Sequence, residues 1–420
     1  MKFLVIIVTN KEKKIKTETY DYEIKEIKNL LSTYGVSDSI EMIVKIDKPT
    51  PSFYIGIGKL KEIKEKITEC NIKSILFNIT LSERQQRNIE DFLGVRVIDK
   101  TFLILEIFKQ RARTQEGKLQ VDLANLKYKL SRISGSGRDM DQQYGVTGIR
   151  GGGGERKIEY DRRAIREKIS IISEKIKKIK LRRELQREKR KDFPFPVISI
   201  VGYTNAGKST LLNAISGKND VYADDKLFAT LDPTARKAMI KEGFFGIFED
   251  TVGFINNLPH LLIMAFSATL EEIKNSDLII HLHDLTSDII MQNVVVKKTL
   301  KEIGADYIPL INVFNKKDIV DPDSLNLSLS QFEPVFISAL KKEGIDQLMF
   351  EIDKRLSYKW KEKTLKITKE EFETINDLRK NFFVIEENYF EDHAIVKIKG
   401  IAEKIKNIQE KLNLKTIDTY

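Results

Sequence analysis

The sequence predicts an α/β protein of several domains, with a parallel-rich sheet in its central domain. Short apolar runs alternate with amphipathic stretches over residues 1–110 and again over 195–358, the pattern of a parallel sheet covered by helices. Between them, Leu or Ile recurs at alternating steps of four and three in two long stretches, the spacing of paired helices. The length of 420 residues, at about 150 per domain, asks for about three units. A hydrophobic fraction of 41% supports buried cores and excludes a disordered chain or a collagen-like fibre.

The first domain, residues 1–110, offers strands at Phe3–Val8, Glu41–Ile46, Ser74–Phe77 and Val95–Ile98. Amphipathic helices are expected near 21–34, 59–69, 82–93 and 100–109. Gly56-Ile57-Gly58-Lys59 opens one of them, either as a tight strand-to-helix turn or as a phosphate contact.

Residues 111–192 read as an antiparallel helical hairpin. One seam runs through Leu119, Leu123, Leu126, Leu130 and Ile133, the other through Ile165, Ile169, Ile172, Ile176 and Ile179. The tip, 135–154, holds eight of the 22 glycines, and glycine costs a helix about 1 kcal/mol per position. Phe193-Pro194-Phe195-Pro196 ends the hairpin, since proline cannot continue a helix. Residues 193–358 form the central domain, and 359–420 a small α/β module read as helix, two strands (near Phe382–Glu386 and Ala394–Ile398) and helix.

The charge is concentrated. Residues 156–191 hold sixteen Lys/Arg and six Asp/Glu, a surplus equal to the net +10 of the whole chain. Such an arm is the footprint of a polyanion such as RNA, or a solvated helix face. Arg138, Arg150, Arg156, Arg182, Arg183, Arg187 and Arg190 are the candidate RNA contacts. Cys70 is the single cysteine, which fits a reducing, cytoplasmic setting. No run of 18 apolar residues is present, so no membrane span is expected, and the apolar core of MKFLVIIVTN is too short for a signal peptide.

Gly202-Tyr203-Thr204-Asn205-Ala206-Gly207-Lys208-Ser209, followed by Thr210, fits GxxxxGK[ST] between a strand and a helix. Its backbone N–H groups face phosphates, Lys208 reaches the β- and γ-phosphates, and the Ser209 hydroxyl ligates Mg²⁺. Asp250-Thr251-Val252-Gly253 follows the strand 246–249. Asp250 is placed to hold the water shell of Mg²⁺, and Gly253 to offer its N–H to the γ-phosphate. Asn315-Lys316-Lys317-Asp318 has the NKxD form, and the Asp318 carboxylate accepts from guanine N1–H and the 2-amino group, which adenine cannot donate. Ser338-Ala339-Leu340 sits where a backbone N–H meets guanine O6. Thr230 is the candidate to complete the Mg²⁺ shell, with Thr234 as runner-up. Lys208, Thr230 and Gly253 are accordingly the candidate catalytic residues of a GTP-hydrolysing enzyme.

Phe254 stands where a water-orienting glutamine would, so slow intrinsic hydrolysis is expected, accelerated when a partner orders the switches. Asn205 reads as either a K⁺ ligand at the phosphates or a loop-stabilising side chain. His281 and His283 alternate on one strand and read as a polar or partly buried face, and Trp360 reads as a packing anchor.

The whole pattern resembles the HflX family of ribosome-associated GTPases. Besides the phosphate loop, the resemblance rests on Leu81-Ser82-Glu83-Arg84-Gln85-Gln86-Arg87-Asn88, the stretch from Arg111 to Val121, Asp161-Arg162-Arg163, Phe228–Thr234 and Leu258-Pro259-His260. It covers roughly residues 50–340. It implies GTP as substrate, Mg²⁺ as cofactor and the large ribosomal subunit, through its rRNA, as partner. It also implies a hairpin tip directed at the peptidyl-transferase region, and GTP-dependent splitting or rescue of stalled or idle ribosomes. A monomer is expected. The chain departs from the pattern at Gly152, where proline is usual, and at Leu340, where lysine is usual; 359–420 matches no family motif. Another RNA-acting GTPase, for ribosome assembly or tRNA modification, and a nucleotide-gated scaffold with negligible turnover are the competing readings.

Overall fold

The computed structural model describes residues 2–10, 17–133, 153–190, 195–217, 228, 234–256, 261–262, 267–324, 332–412 and 415–416. The glycine-rich tip, with Arg138 and Arg150, lies outside the described residues, as do Thr230 and His260. The chain divides into two compact units, one dominated by residues 1–179 and the other by 180–420.

In the first unit, β1 (Phe3–Asn10), β2 (Ser39–Ile46), β3 (Ser74–Phe77) and β4 (Arg96–Asp99) form a parallel sheet in the order β2-β1-β3-β4. The helices are α1 (Thr17–Tyr34), α2 (Ile57–Cys70), α3 (Glu83–Leu93) and α4 (Lys100–Arg111). Each sequence-predicted strand and helix is found within a few residues of its expected limits. Leu4, Ile6, Ile75, Phe77, Val97 and Ile63 fill the core beneath α2 and α3. Ser82 and Gln85 start α3 with a reciprocal capping box, which satisfies two of its free N–H groups. Gly56 has an ordinary extended φ of −71°, and a Cβ at Gly56 or Gly58 would meet nothing, so no steric need for a tight turn explains these glycines.

The helical arm departs from the seam read in the sequence. On α5 (Gln115–Ile133) the buried face is Gln120, Val121, Ala124 and Tyr128, with Leu123 at its margin; Leu119, Leu126 and Leu130 are only half-buried. The cause is Asp99 at the end of β4, itself fully buried. It caps α4 through Phe102 N–H at 2.8 Å, takes the Tyr128 hydroxyl at 2.9 Å and pairs with Arg132 at 2.6 Å. That hub turns α5 toward α4 and α3. On α6 (Gly153–Arg190) no side chain among the described residues is buried, and Ile165, Ile169, Ile172, Ile176 and Ile179 are half-exposed. Arg162 ties α6 back by donating to the Ile133 carbonyl at 3.0 Å.

The second unit is built on a six-stranded sheet, β10-β9-β8-β5-β7-β6. Its strands are β5 (Val197–Gly202), β6 (Thr234–Lys241), β7 (Phe244–Asp250), β8 (Leu278–Asp284), β9 (Leu310–Asn315) and β10 (Val335–Phe336). All neighbours are parallel except β6 against β7. α7 (Lys208–Ser216) follows β5. The last module opens with a strand, β11 (Trp360–Thr368), where the sequence suggested a helix. Its inward Leu365 and Ile367 alternate with exposed Lys366 and Thr368, a period-two pattern masked by the charges around it.

β11 continues through a helix (Glu373–Asn381), β12 (Phe383–Tyr389), β13 (His393–Ile401), a second helix (Ala402–Leu412) and β14 (Lys415–Thr416). The antiparallel order β12-β13-β11-β14 is that of a ferredoxin-like split βαβ unit. Trp360 and Phe383 pack on Phe244 of β7 at 5.7 and 5.0 Å between ring centroids, so Trp360 is the packing anchor expected. Buried Lys399 lies over the Phe244 ring and pairs with Asp353 and Glu362, which fastens the module to the larger sheet.

His281 and His283 are fully buried rather than partly so, with ring centroids 3.8 Å apart. His283 stacks on Phe314 and donates Nε2–H to Asn312 Oδ1 at 3.2 Å. Burial lowers the pKa of His283 to about 4 and that of His281 well below 6.5. Both rings are therefore neutral when folded and become protonated on unfolding at mild acidity. The stability they confer is complete above about pH 6.5 and falls as the pH drops, by up to about 1.4 kcal/mol per pH unit for each ring. Urea unfolding between pH 7 and 5 should show this loss, and H281L/H283L should flatten it.

Candidate nucleotide site

The site gathers at the carboxyl ends of β5, β7 and β9, where open α/β sheets bind ligands. β5 ends at Gly202, whose Cα faces the Leu282 backbone; an added Cβ would lie 2.4 Å from the Leu282 oxygen. The loop then turns through Asn205 at φ +63° and Gly207 at φ +93° before α7 begins. Asparagine tolerates this left-handed conformation, which accounts for Asn205 through its backbone, and its side chain is exposed. Gly207 is required twice, because a Cβ there would also lie 2.4 Å from Asn315 Nδ2.

Lys208 is buried and donates to the carbonyls of Tyr203 at 2.9 Å and Gly202 at 3.3 Å. Desolvation lowers its pKa to about 8, against the opposing pull of the Asp250 carboxylate. The Ser209 hydroxyl donates to Asp250 Oδ2 at 2.7 Å, and Thr251 Oγ1 donates to the Ile200 carbonyl at 2.8 Å. Gly253 is pressed against the loop, since a Cβ would fall 2.7 Å from Thr204 Cγ2 and 3.0 Å from Lys208 Nζ. Phe254 is buried, its backbone paired with Gly202 and Thr204, so its ring offers nothing to a water molecule.

The far side of the site is held by Asn315. Its Nδ2 donates to the Ala206 carbonyl at 2.8 Å, and its Oδ1 accepts the Ala339 N–H at 2.9 Å. Lys316, at φ +72°, is clasped by Asp284 at 2.7 Å. Ser338 is buried and accepts Lys341 N–H, whereas Leu340 is 76% exposed. Asp318 is half-buried and carries no hydrogen bond or ion pair among the described residues. The phosphate-loop, Asp250–Gly253, NKxD and Ser338–Leu340 segments are thus brought together. Thr234 starts β6, and Phe228 is buried against the Phe108 ring of α4 at 4.6 Å.

Three family models match in series. Residues 21–109 match the GTP-binding GTPase N-terminal region, 111–190 the GTP-binding GTPase middle region, and 197–316 a 50S ribosome-binding GTPase. The GTPase HflX of Caldanaerobacter subterraneus subsp. tengcongensis is 42% identical over 390 residues, spanning 91% of this chain and 89% of the relative. This chain belongs to the HflX family. The Escherichia coli K12 GTPase HflX is 38% identical over 391 residues, covering 91% and 90% of the two chains. A GTP-binding protein from the archaeon Sulfolobus solfataricus, solved with GDP, is 26% identical across 85% of this chain and 99% of its own, at a TM-score of 0.43.

As an HflX-family GTPase the chain binds guanine nucleotide and hydrolyses GTP. A hydroxyl and a carboxylate meeting at the head of α7 are the hard oxygen donors that Mg²⁺ takes, so Ser209 and Asp250 fit that ion, which would neutralise charge on the phosphates. Among the candidate RNA contacts, Arg182 is exposed, while Arg183 donates to Glu272 at 3.1 Å and is partly committed to that contact. Arg156, Arg187 and Arg190 lie on α6, their side chains outside the described set. The bridging carboxamide of Asn315 and the Asp284 clasp have no sequence signal, because motif order says nothing about which loops touch.

A phosphate needs the charged form of Lys208. Below about pH 8 the ammonium is already present; above it, binding must take up a proton. GDP affinity should therefore weaken by up to about tenfold per unit between pH 8 and 9. Calorimetry in buffers of different ionisation enthalpy should record the proton uptake.

Proposed function

We propose that this GTPase binds the large ribosomal subunit through the α6 arm and couples GTP hydrolysis to splitting or rescue of stalled or idle ribosomes. The observation that carries the reading is the match of residues 197–316 to a 50S ribosome-binding GTPase, within a chain that follows HflX relatives nearly end to end. The concentrated positive charge of α6 supports it, because rRNA is a polyanion. So does the exposure of α6, whose described side chains face solvent or are half-covered.

Within the site, Lys208 and the loop N–H groups stabilise charge developing on the phosphates, and Gly253 N–H meets the γ-phosphate. Ser209 and Thr230 would hold Mg²⁺, with Asp250 reaching it through a water, and the ion would supply counter-charge to the phosphates. Asp318 selects guanine, with Ala339 N–H near its O6. Burial of Phe254 favours slow turnover in isolation, with a ribosomal partner supplying the missing order.

Purified large subunits should raise phosphate release from GTP and leave ATP turnover unchanged; absence of any rise would favour a scaffold. Co-sedimentation with mature subunits, in preference to assembly precursors, separates this reading from a role in biogenesis. Neutralising Arg182, Arg187 and Arg190 should weaken subunit binding and flatten its log–log salt slope by roughly 0.7–0.9 per lost phosphate contact.

A further inference from the structure

The chain leaving β7 falls out of register with the phosphate loop. β5 and β7 pair in parallel with Ile200 opposite Asp250. Further on, Tyr203 is opposite Phe254 in an isolated parallel bridge. Three steps along one strand thus match four along the other, so one extra residue arches between Asp250 and Phe254. Such bulges re-aim a strand beside a functional site.

The near end of the arch is fixed by the Thr251 hydroxyl on the Ile200 carbonyl, at 2.8 Å. Its crest is Gly253, so close to Thr204 and Lys208 that no Cβ fits. Its far end is fixed by three hydrogen bonds. Phe254 N–H donates to the Gly202 carbonyl at 3.1 Å, and Thr204 N–H donates to the Phe254 carbonyl at 2.8 Å. Asn256 N–H donates to the Tyr203 hydroxyl oxygen at 2.6 Å. Tyr203 is buried, and its phenol is the one side chain among these three bonds.

We propose that Tyr203 is a positioning residue for GTP hydrolysis, holding the far end of the Gly253 arch so that the Gly253 N–H is set toward the γ-phosphate. Tyr203 also lies inside the phosphate loop, and its carbonyl takes a hydrogen bond from Lys208. One residue therefore belongs both to the segment that grips the β-phosphate and to the clip that places the γ-phosphate donor. GDP has no γ-phosphate and does not use the arch, which separates this role from simple support of the loop. The proposal rests on the GTPase site, and not on the ribosomal reading.

The test compares affinities for GDP and a non-hydrolysable GTP analogue, together with single-turnover hydrolysis, in the isolated full chain. Y203F keeps the ring and removes the acceptor. It should leave GDP affinity within about twofold, and weaken analogue binding and hydrolysis by roughly three- to tenfold, the worth of one hydrogen bond. N256P removes the same bond from the donor side, so the double variant should be no worse than the weaker single one. Gly253→Ala should lose the analogue whether or not Tyr203 matters. If G253A leaves both affinities intact, the γ-phosphate role of Gly253 is wrong. If G253A acts as expected while Y203F lowers GDP and analogue affinity equally, or lowers neither, the Tyr203 proposal is overturned.

Discussion

One buried carboxamide sets the register of the nucleotide site. Asn315 gives its N–H to the Ala206 carbonyl and takes the Ala339 N–H, so the 202–209 loop and the 338–340 loop share a single strut. The strut is short enough that Gly207 admits no Cβ. Both bonds are shielded from water, where an unmade hydrogen bond costs about 1–3 kcal/mol. The spacing between these two loops thus follows from the sheet, since β5 and β9 both flank β8.

The other ties extend the same principle. Asp284 at the end of β8 clasps Lys316, Asp250 at the end of β7 takes Ser209, and the Tyr203–Phe254 bridge pins the chain as it leaves β7. Each of these contacts sits at the carboxyl end of a strand, just past the last rungs of the sheet. Hydrophobic packing along Ile198, Ile200, Leu278, Ile280, Leu282 and Val313 keeps those ends in line. Asp99 performs an equivalent task in the first unit, where one buried carboxylate fixes α4, α5 and the end of β4.

Much of this is legible in the sequence. Strand-helix alternation locates β1–β4 and the parallel strands of the central sheet, because parallel strands are apolar on both faces and stand out from amphipathic helices; β6, antiparallel and carrying Arg236, Lys237 and Lys241, does not stand out. The chemistry-bearing loops are legible because phosphate and guanine recognition require glycine at fixed offsets and a carboxylate after a strand. The α5 face is not, because a leucine seam at heptad spacing says how a helix is amphipathic, while Asp99 and Tyr128 decide which way it turns. β11 is hidden by its lysines. The full burial of His281 and His283 escapes a sequence reading, since two imidazoles look polar until a sheet covered on both faces surrounds them. The tie from Tyr203 to Asn256 has no sequence signature at all, because the donor is a backbone N–H.

Asn315 couples the two halves of the site, and its contribution is read off by titrating N315A with GDP. Loss of two buried hydrogen bonds, with no substitute for the partners left behind, should weaken binding by at least about thirtyfold while the folded melting profile is retained. A loss of less than about threefold, at the scale of a single weak surface contact, would contradict it.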